Sequence, residues 1–448
     1  MTKKGFLILT CILFVIILFA QKTKQKVSNI STSHAYADQK DNKEILPGAY
    51  QIKEYIPLLK GKRVGVFANN TATIGKTHLV DTLQKLGVNI SKIFGPEHGF
   101  RGTAVAGEKV DSYTDEQTGI PVISLYGKKR KPSAEDLSDV DVLLFDIQDV
   151  GVRFYTYISS LQDFMESAIK HKKPLIILDR PNPNGFYVDG PVLDTVFKSF
   201  IGMQPVPVVY GMTIGEYGKF LIGENLLARE SSALQSRVKN AEAMSSAKNS
   251  KGWKLTVIKC RNYTHNSKYI LPHKPSPNLP GASSVYWYPS TCFFEGTVLN
   301  EGRGTDKPFQ IFGHPSLPKN LYAFTPVANA GASDPKLKDQ LCYGWSLPDD
   351  TEQILQEIDN HIQIKYLLQT YKLFPDKENF FIKPKKNDIK PADYFFNKLA
   401  GNADLMQQIL DGKTEKEIRA SWEPKLNAFK KIRKKYLLYP DFDTTGKD

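Results

Sequence analysis

The stretch VDVLLFDIQDVGVRFYTYISSLQDFMESAIKH, residues 140–171, decides the fold class. It begins with a β-rich apolar run, VDVLLFDI (140–147), passes through a polar connection and ends with the apolar spacing of a helix. Similar runs, with helical stretches such as LVDTLQKLG between them, are RVGVFAN (63–69), ISKIFG (90–95), PVISLYG (121–127), PLIILDR (174–180) and PVPVVYG (205–211). This alternation is typical of βαβ units, so we predict an α/β fold with a Rossmann-like parallel sheet.

The chain is long enough for two domains, because 448 residues exceed the size of one ordinary hydrophobic core. A small, polar stretch at 228–252 precedes the strand-like WKLTVIKC (253–260), the proline-locked PHKPSPNLPG (272–281) and a helical stretch at 351–374. We therefore predict a Rossmann-like N-terminal domain over residues 45–245 and a smaller α/β domain over residues 250–448. The active-site cleft is expected between them.

The N-terminus predicts export. MTKK is followed by an apolar run of 16 residues, GFLILTCILFVIILFA, which is short for a bilayer-spanning helix. We predict a signal peptide over residues 1–20, a polar linker over residues 21–44, and a periplasmic or extracellular protein. Membrane contact is expected only through this signal, if it stays uncleaved.

Several function classes are disfavoured by composition and motifs. The net charge of +13 is spread along lysine-rich segments without an RNA-binding motif or zinc-finger spacing, so no nucleic-acid partner is expected. GxGxxG after the first strand, GxSxG and HExxH are all absent, and the eight histidines are scattered, so we predict neither a cofactor nor a metal. Export leaves three cysteines, for which buried thiols are expected before a single bridge.

Polar residues follow several of the predicted strands. Ligands of open parallel sheets bind outside the carboxyl ends of the strands, so these residues are candidates for a site. The candidates are Asn69, Glu97, His98, Arg101, Asp146, Gln148, Arg153, Tyr155, Tyr157, Asp179, Arg180 and Asn182 in the first domain, and Glu295, Glu301 and Arg303 in the second. Asp146 and Asp179 would equally suit helix caps, and Arg153 and Arg180 would suit structural ion pairs with them. Tyr155 and Tyr157 would equally suit packing.

Acids, amides and aromatic rings are the residues of glycoside hydrolysis, in which one carboxyl group protonates the leaving oxygen and a second carboxylate assists. Arginines suit a sugar that itself carries a carboxylate, because guanidinium binds carboxylate in a bidentate manner. Glu97 is bracketed by Pro96 and Gly99, which leaves it few structural duties. Glu216, by contrast, fits a capping box with Thr213.

A series of motifs gives the chain a family resemblance, in order from about residue 45 to the C-terminus. They are GPEHGFRG, SLYG, FDIQDVGVRFYTYISSL, DRPNPNG, GPVLD, YGMTIGE, PSPNLP, FEGT and EGRGTDKPF. The chain thereby resembles the exo-β-N-acetylmuramidase family, whose members release N-acetylmuramic acid from the non-reducing ends of peptidoglycan fragments. The strings YPSTC, EGTVL and RGTDKPFQ depart from the family pattern in the second domain.

The resemblance implies the substrate and the roles of the residues. Peptidoglycan fragments, including muropeptides and the disaccharide MurNAc-GlcNAc, would be the partners. Glu97 would be the catalytic acid/base, oriented by His98, with Asp146, Glu295 or Glu301 as the second carboxylate. The lactyl carboxylate of the sugar would be held by one or more of Arg101, Arg153 and Arg303.

Two other functions stay open from the residues alone. A periplasmic receptor would close its two domains on muropeptides without turnover. An amide or ester hydrolase would act on the same polymer through the same acids.

Overall fold

The computed structural model describes residues 43–97, 99–102, 111–227 and 253–442, which contain twelve strands, ten α-helices and six short 3₁₀-helices. The strands are β1 (Val64–Ala68), β2 (Thr73–Ile74), β3 (Thr77–His78), β4 (Ile90–Gly95), β5 (Tyr113–Thr114), β6 (Pro121–Ser124), β7 (Val142–Asp146), β8 (Leu175–Leu178), β9 (Leu255–Ile258), β10 (Ile311–His314), β11 (Tyr322–Phe324) and β12 (Cys342–Ser346). The helices are α1 (Ile52–Leu59), α2 (Leu79–Lys85), α3 (Tyr157–Lys170), α4 (Ile214–Gly223), α5 (Ala282–Thr291), α6 (Thr351–Ile358), α7 (Lys365–Leu373), α8 (Phe395–Ala400), α9 (Asp404–Leu410) and α10 (Glu415–Arg433).

The central sheet confirms the predicted Rossmann-like α/β fold. Its seven strands lie in the order β5-β6-β4-β1-β7-β8-β9, and all neighbours are parallel except β5 and β6. The strand order therefore reverses direction between β1 and β7. Such a reversal leaves a crevice at the carboxyl ends of the two strands, which is where α/β proteins bind their ligands.

The middle strands form because both faces of the sheet are covered. Every residue of β1 (VGVFA) and β7 (VLLFD) is buried, as expected for parallel strands that lie between two layers of helices. On one face the rings of Phe67 and Phe145 stack at 5.0 Å, and Phe164 of α3 packs on Phe67 at 4.9 Å. The predicted helical stretches 79–87 and 157–171 correspond to α2 and α3.

One predicted strand is wrong. Residues 205–211 make only isolated bridges, in which Val209 faces Val152 and Asp189. Pro205 and Pro207 have no backbone N–H, so this run cannot supply a regular ladder of hydrogen bonds. The outer parallel strand is instead β9, from the 253–260 run that was assigned beyond the boundary, and it pairs with β8.

The C-terminal part is smaller and carries a three-stranded antiparallel sheet in the order β10-β12-β11. The helical stretch predicted at 351–374 divides into α6 and α7, because the chain turns at Asp359, whose φ is 40°. Phe154 packs edge-to-face on Tyr288 at 5.3 Å and on Phe293 at 5.8 Å, so the residues after β7 and the region around α5 share one core.

Several predictions fall outside the described residues. They are the signal peptide, most of the linker (residues 1–42) and the domain boundary near residues 245–250. Within the described ranges, no helix combines the length and the apolar character needed to cross a bilayer. Cys260, Cys292 and Cys342 are buried free thiols, as expected.

Candidate active site

Glu97 stands directly beyond the carboxyl end of β4 and is half-buried. The hydroxyl of Tyr126, which follows the neighbouring strand β6, donates to Glu97 Oε1 at 2.8 Å. Burial raises the pKa of Tyr126 to about 12, and the charge of Glu97 acts in the same direction. The hydroxyl therefore keeps its proton at neutral pH and orients one carboxylate oxygen. His98, predicted to orient Glu97, lies outside the described residues.

The loop that bears Glu97 is anchored by its next described side chains. Phe100 is fully buried and meets the ring of His78 at 4.7 Å. Arg101 forms ion pairs with Asp115 at 2.8 Å and with Asp81 at 3.2 Å. Arg101 was predicted to bind the substrate, but its guanidinium is occupied by two protein carboxylates. It positions the loop instead.

Gly102 closes this loop against the chain that follows β1. Its φ is 71°, and a Cβ at this position would lie 2.6 Å from the side-chain atoms of Asn70. Only glycine fits such a backbone conformation and such a close approach. The last glycine of the motif GPEHGFRG is therefore required by the geometry of the loop.

Two predicted amides lie just beyond the carboxyl ends of β1 and β7. Asn69 donates through Nδ2 to the hydroxyl of Tyr157 at 2.8 Å, and its Oδ1 accepts from the hydroxyl of Thr71 at 2.6 Å. Gln148 donates from its backbone to Thr71 Oγ1 at 3.0 Å and from Nε2 to the carbonyl of Pro181 at 2.7 Å. Both amides are buried and positioned by these bonds.

Three tyrosines form a row from Glu97 towards the C-terminal part. The rings of Tyr157 and Tyr155 meet edge-to-face at 4.9 Å, and those of Tyr155 and Tyr288 at 6.1 Å. Burial raises the pKa of Tyr157, and the negative charge of Glu97 adds to the rise. Burial likewise raises the pKa of Tyr288, to which Cys292 and Glu295 contribute. The row places Glu97 near one end and Glu295 near the other.

Glu295, Glu301 and Arg303 form the cluster at the far end. Arg303 Nη2 lies 2.7 Å from Glu295 Oε1, and its Nε lies 3.3 Å from Glu301. Lys336 adds a second cation at 2.8 Å from Glu301. The side chain of Glu295 is 20% exposed, whereas that of Glu301 is 2% exposed, so Glu295 is the more accessible carboxylate.

Two predicted acids are buried away from any opening. Asp146 is fully buried in a bidentate pair with Arg180, in which Nη2 lies 2.8 Å from Oδ2. Asp179 accepts from the hydroxyls of Thr213 at 2.7 Å and Tyr439 at 2.6 Å, and from the backbone of Gly215 at 2.8 Å. The structure therefore assigns Asp146, Arg180 and Asp179 to the scaffold.

Asn182 also belongs to the scaffold. Its Nδ2 donates to the carbonyl of Met212 at 2.8 Å, and its Oδ1 accepts from the backbone of Asn184 at 2.8 Å. Glu216, which the sequence assigned to a capping box, forms that box with Thr213 at the start of α4.

Arg153 is neither a substrate ligand nor part of an ion pair in the described residues. It is fully buried and donates to the carbonyls of Pro191, Val206 and Leu399, at 2.8, 2.8 and 2.6 Å. Burial lowers its pKa to about 9. Arg153 ties the loop after β7 to helix α8.

Two residues near these strand ends were not among the candidates predicted from the sequence. Tyr126 lies in the SLYG motif at the end of a predicted strand, and the adjacency of β6 to β4 brings it to Glu97. Asp149 was in the strand-end motif DIQD and was not selected. It accepts from the hydroxyl of Tyr210, and its Oδ1 is buried without a hydrogen-bond partner in the described ranges. Burial raises its pKa to about 6.

The histidines near the site have structural duties. His78 bonds to the carbonyl of Asn69 at 2.9 Å and caps α2, and His265 pairs with Glu216 at 3.1 Å. Within the described part of the chain, no three His, Cys, Asp or Glu side chains are grouped to hold a metal ion. The chemistry that the site offers is that of carboxyl, phenol, amide and guanidinium groups.

Comparison with known proteins gives matches along most of the chain. The family model described as exo-beta-N-acetylmuramidase NamZ, N-terminal, matches residues 64–283, and the corresponding C-terminal model matches residues 286–439. A curated relative, the peptidoglycan beta-N-acetylmuramidase NamZ of Bacillus subtilis (strain 168), is 35% identical over 406 residues, which are 87% of this chain and 89% of the relative.

Two solved structures share the fold. One DUF1343 family protein from Bacteroides fragilis is 40% identical with a TM-score of 0.75, covering 89% of this chain and 100% of its own. A second from the same organism is 27% identical with a TM-score of 0.70, covering 88% of this chain and 99% of its own.

Proposed function

The chain belongs to the exo-β-N-acetylmuramidase family, and we propose that it is a glycoside hydrolase that releases N-acetylmuramic acid from the non-reducing ends of peptidoglycan fragments. The observation that carries this proposal is the family match, which spans residues 64–439 almost without interruption. It includes the Glu97 loop and the Glu295 cluster. The receptor and the amide or ester hydrolase are not favoured by these matches.

Glu97 is the proton donor in this proposal. It is a half-buried carboxyl group at the ligand-binding edge of the sheet, on a loop held by Phe100 and Arg101. The Tyr126 hydroxyl donates to one oxygen of this carboxyl group and thereby orients it. A positioned acid of this kind typically contributes about 10²–10⁴-fold to the rate.

Glu295 is the best second carboxylate by elimination. Asp146 is buried in its pair with Arg180, and Glu301 is buried between Arg303 and Lys336. Glu295 alone of the three is partly exposed, and Arg303 lies beside it at 2.7 Å. It would stabilise the positive charge that develops on the sugar, as nucleophile or as base for water.

Arg303 is the remaining arginine for the lactyl carboxylate. Arg101 and Arg153 are committed to partners in the protein. Arg303 lies beside Glu295, and its Nη1 donates no hydrogen bond to the described residues. A sugar carboxylate at this nitrogen would place the ring next to the Tyr155–Tyr288 row.

The test is hydrolysis of a chromogenic β-N-acetylmuraminide by the wild type and by Glu97→Gln. We expect kcat to fall about 10²–10⁴-fold, because the amide cannot give up a proton. Glu54→Gln is the matched control, since Glu54 lies exposed on α1 in an ion pair with Arg261. A Glu97→Gln protein that keeps more than about a tenth of the wild-type rate would remove Glu97 from this role.

We further propose that the protein works outside the cytoplasm. The support is the charged start and apolar run of residues 1–20. N-terminal sequencing of the protein from the extracytoplasmic fraction should give a chain that begins at residue 21. Recovery only from the cytoplasm would contradict export.

A further inference from the structure

A second depression lies on the same side of the sheet as Glu97 and has no role in the proposal above. It is lined by the loop after β6, residues 127–131, and by residues 198–200, together with Asp163 and Met203. We call it the basic groove. Its volume is about 760 Å³, within the usual range of about 300–1,000 Å³ for ligand pockets.

The groove carries more positive charge than its acids neutralise. Lys129 pairs with Asp136 at 2.6 Å, and Lys131 pairs with Asp163 and Glu166. These three acids near the groove are therefore already paired with Lys129 and Lys131.

Two exposed cations are left over. Lys128 and Lys198 make no ion pair or side-chain hydrogen bond within the described ranges. Arg130 lies over the ring of Phe200 at 4.0 Å, which holds a planar guanidinium at the wall of the groove. Cations that the fold leaves exposed beside a pocket form a ready site for an anion.

The groove loop follows directly in sequence on the residue that binds the proposed proton donor. Tyr126, whose hydroxyl binds Glu97, immediately precedes the groove loop. The positive charge of Arg130 acts on Tyr126, lowering its pKa against the larger effect of burial, so the guanidinium lies within electrostatic reach of the Glu97–Tyr126 pair.

This position has a chemical meaning for a glycosidase. A general acid faces the oxygen of the leaving group, so the part of the substrate that departs lies on the Glu97 side of the cleaved bond. In a glycan of alternating N-acetylmuramic acid and N-acetylglucosamine without peptides, the leaving chain has a lactyl carboxylate on every second sugar. The next anion therefore comes two sugars beyond the sugar being released.

We propose that the basic groove binds the leaving-group side of the glycan and that Lys128, Arg130 and Lys198 hold the lactyl carboxylate of its next muramic acid. This inference rests on the proposed muramidase function and extends it. It makes the preferred substrate a glycan chain of at least three sugars. The enzyme then shortens anionic glycans from the end rather than acting only on isolated disaccharides.

The experiment compares the disaccharide MurNAc-GlcNAc with the tetrasaccharide of two such units. For wild type and Lys128→Ala/Lys198→Ala, kcat/KM is measured on both substrates by the release of N-acetylmuramic acid. We expect the wild type to prefer the tetrasaccharide, and the variant to lose about 5-fold of that preference, the effect of two exposed ion pairs. The disaccharide rate should change less than about 2-fold.

Two controls separate a specific site from net charge. Lys76→Ala/Lys85→Ala removes the same charge from another depression, of about 380 Å³, and should keep the preference. A tetrasaccharide whose internal carboxylate is converted to the amide should lose the preference with the wild type. The proposed role of the groove would be contradicted if the wild type had equal kcat/KM on the disaccharide and the tetrasaccharide. It would also be contradicted if the variant lost kcat/KM equally on both substrates.

The same experiment distinguishes failure of the proposed muramidase function from failure of the proposed role of the groove. A wild type that cleaves neither sugar overturns the muramidase function. In that event, calorimetry of the tetrasaccharide with the wild type and Lys128→Ala/Lys198→Ala decides the groove alone. Binding that weakens about 5-fold in the variant supports the groove, and unchanged affinity overturns it.

Discussion

The polar residues at the ends of β4 and β6 are partly exposed to solvent, whereas those at the ends of β7 and β8 are sealed inside the protein. Glu97 is half-buried and bound by Tyr126. Asp146 and Asp179 are fully buried, and each of their oxygens accepts at least one hydrogen bond from the protein. Carboxylates at the same edge of one sheet thus lie in the candidate site at one end and in the scaffold at the other.

The difference comes from what covers the strand ends. Over β8, helix α4 and the segment around Tyr439 supply donors that meet Asp179. Beyond β4, the loop that bears Glu97 is held by Phe100, which packs on His78, and by Arg101, which pairs with Asp115. A carboxylate is therefore assigned to a site or to the scaffold by the donors around it, and not by its place in the topology.

The largest effect is expected from Asp146→Asn. This change keeps the volume but leaves the buried Arg180 without its counter-charge, which typically costs about 3–5 kcal/mol. Urea unfolding measures the loss in the free energy of unfolding. The double variant Asp146→Leu/Arg180→Met should recover most of it. A stable Asp146→Asn protein without activity would mean that Asp146 takes part in catalysis, which would contradict the difference between the two sets of strand ends.

A smaller effect is expected from Asp149, which follows β7 in the sealed region. Burial raises its pKa from 3.8 to about 6, so the folded state holds the proton more tightly than the unfolded chain. Its contribution to the free energy of unfolding therefore falls as pH rises from about 4 to about 6, by up to about 3 kcal/mol. Asp149→Asn removes this slope.

Urea unfolding at pH 4.5 and pH 7.0 tests the prediction for Asp149. The stability of Asp149→Asn relative to the wild type should increase with pH across this window. A difference that does not depend on pH would mean that Asp149 is not a buried acid with a raised pKa.

The smallest effect is expected from a change at the end of β6, next to Glu97. Tyr126→Phe removes the hydroxyl that orients Glu97, and kcat on the chromogenic muraminide should fall about 10-fold. The free energy of unfolding should stay within about 0.5 kcal/mol of the wild type. Tyr113→Phe, on the edge strand β5 and 39% exposed, is the matched control and should leave kcat unchanged. Equal losses in the two variants would deny Tyr126 a specific role.

Sequence patterns predicted the sheet well because burial on both faces leaves a continuous apolar run. β1, β4, β6, β7 and β8 all lie within their predicted runs. The run 205–211 failed although it is rich in valine, since its prolines remove the donors that a ladder needs.

The site was harder to predict because the partners of each residue are distant in sequence. Glu97 was identified by its glycine and proline neighbours, and Tyr126 was missed because only strand order brings it near. Arg153 is occupied by carbonyls 38, 53 and 246 residues away, which no local motif reveals. The pairing of Asp146 with Arg180, 34 residues along the chain, was by contrast one of the ion pairs that the sequence left open.

The bond from Tyr439 to Asp179 has a consequence for the order of events during synthesis. The two residues are 260 positions apart, so the ribosome delivers Tyr439 roughly 10–50 s after Asp179 at about 5–20 residues per second. Throughout that interval the carboxyl end of β8 lacks one of its donors, however early the sheet assembles. This hydrogen bond can therefore form only after the nascent chain has been completed to residue 439.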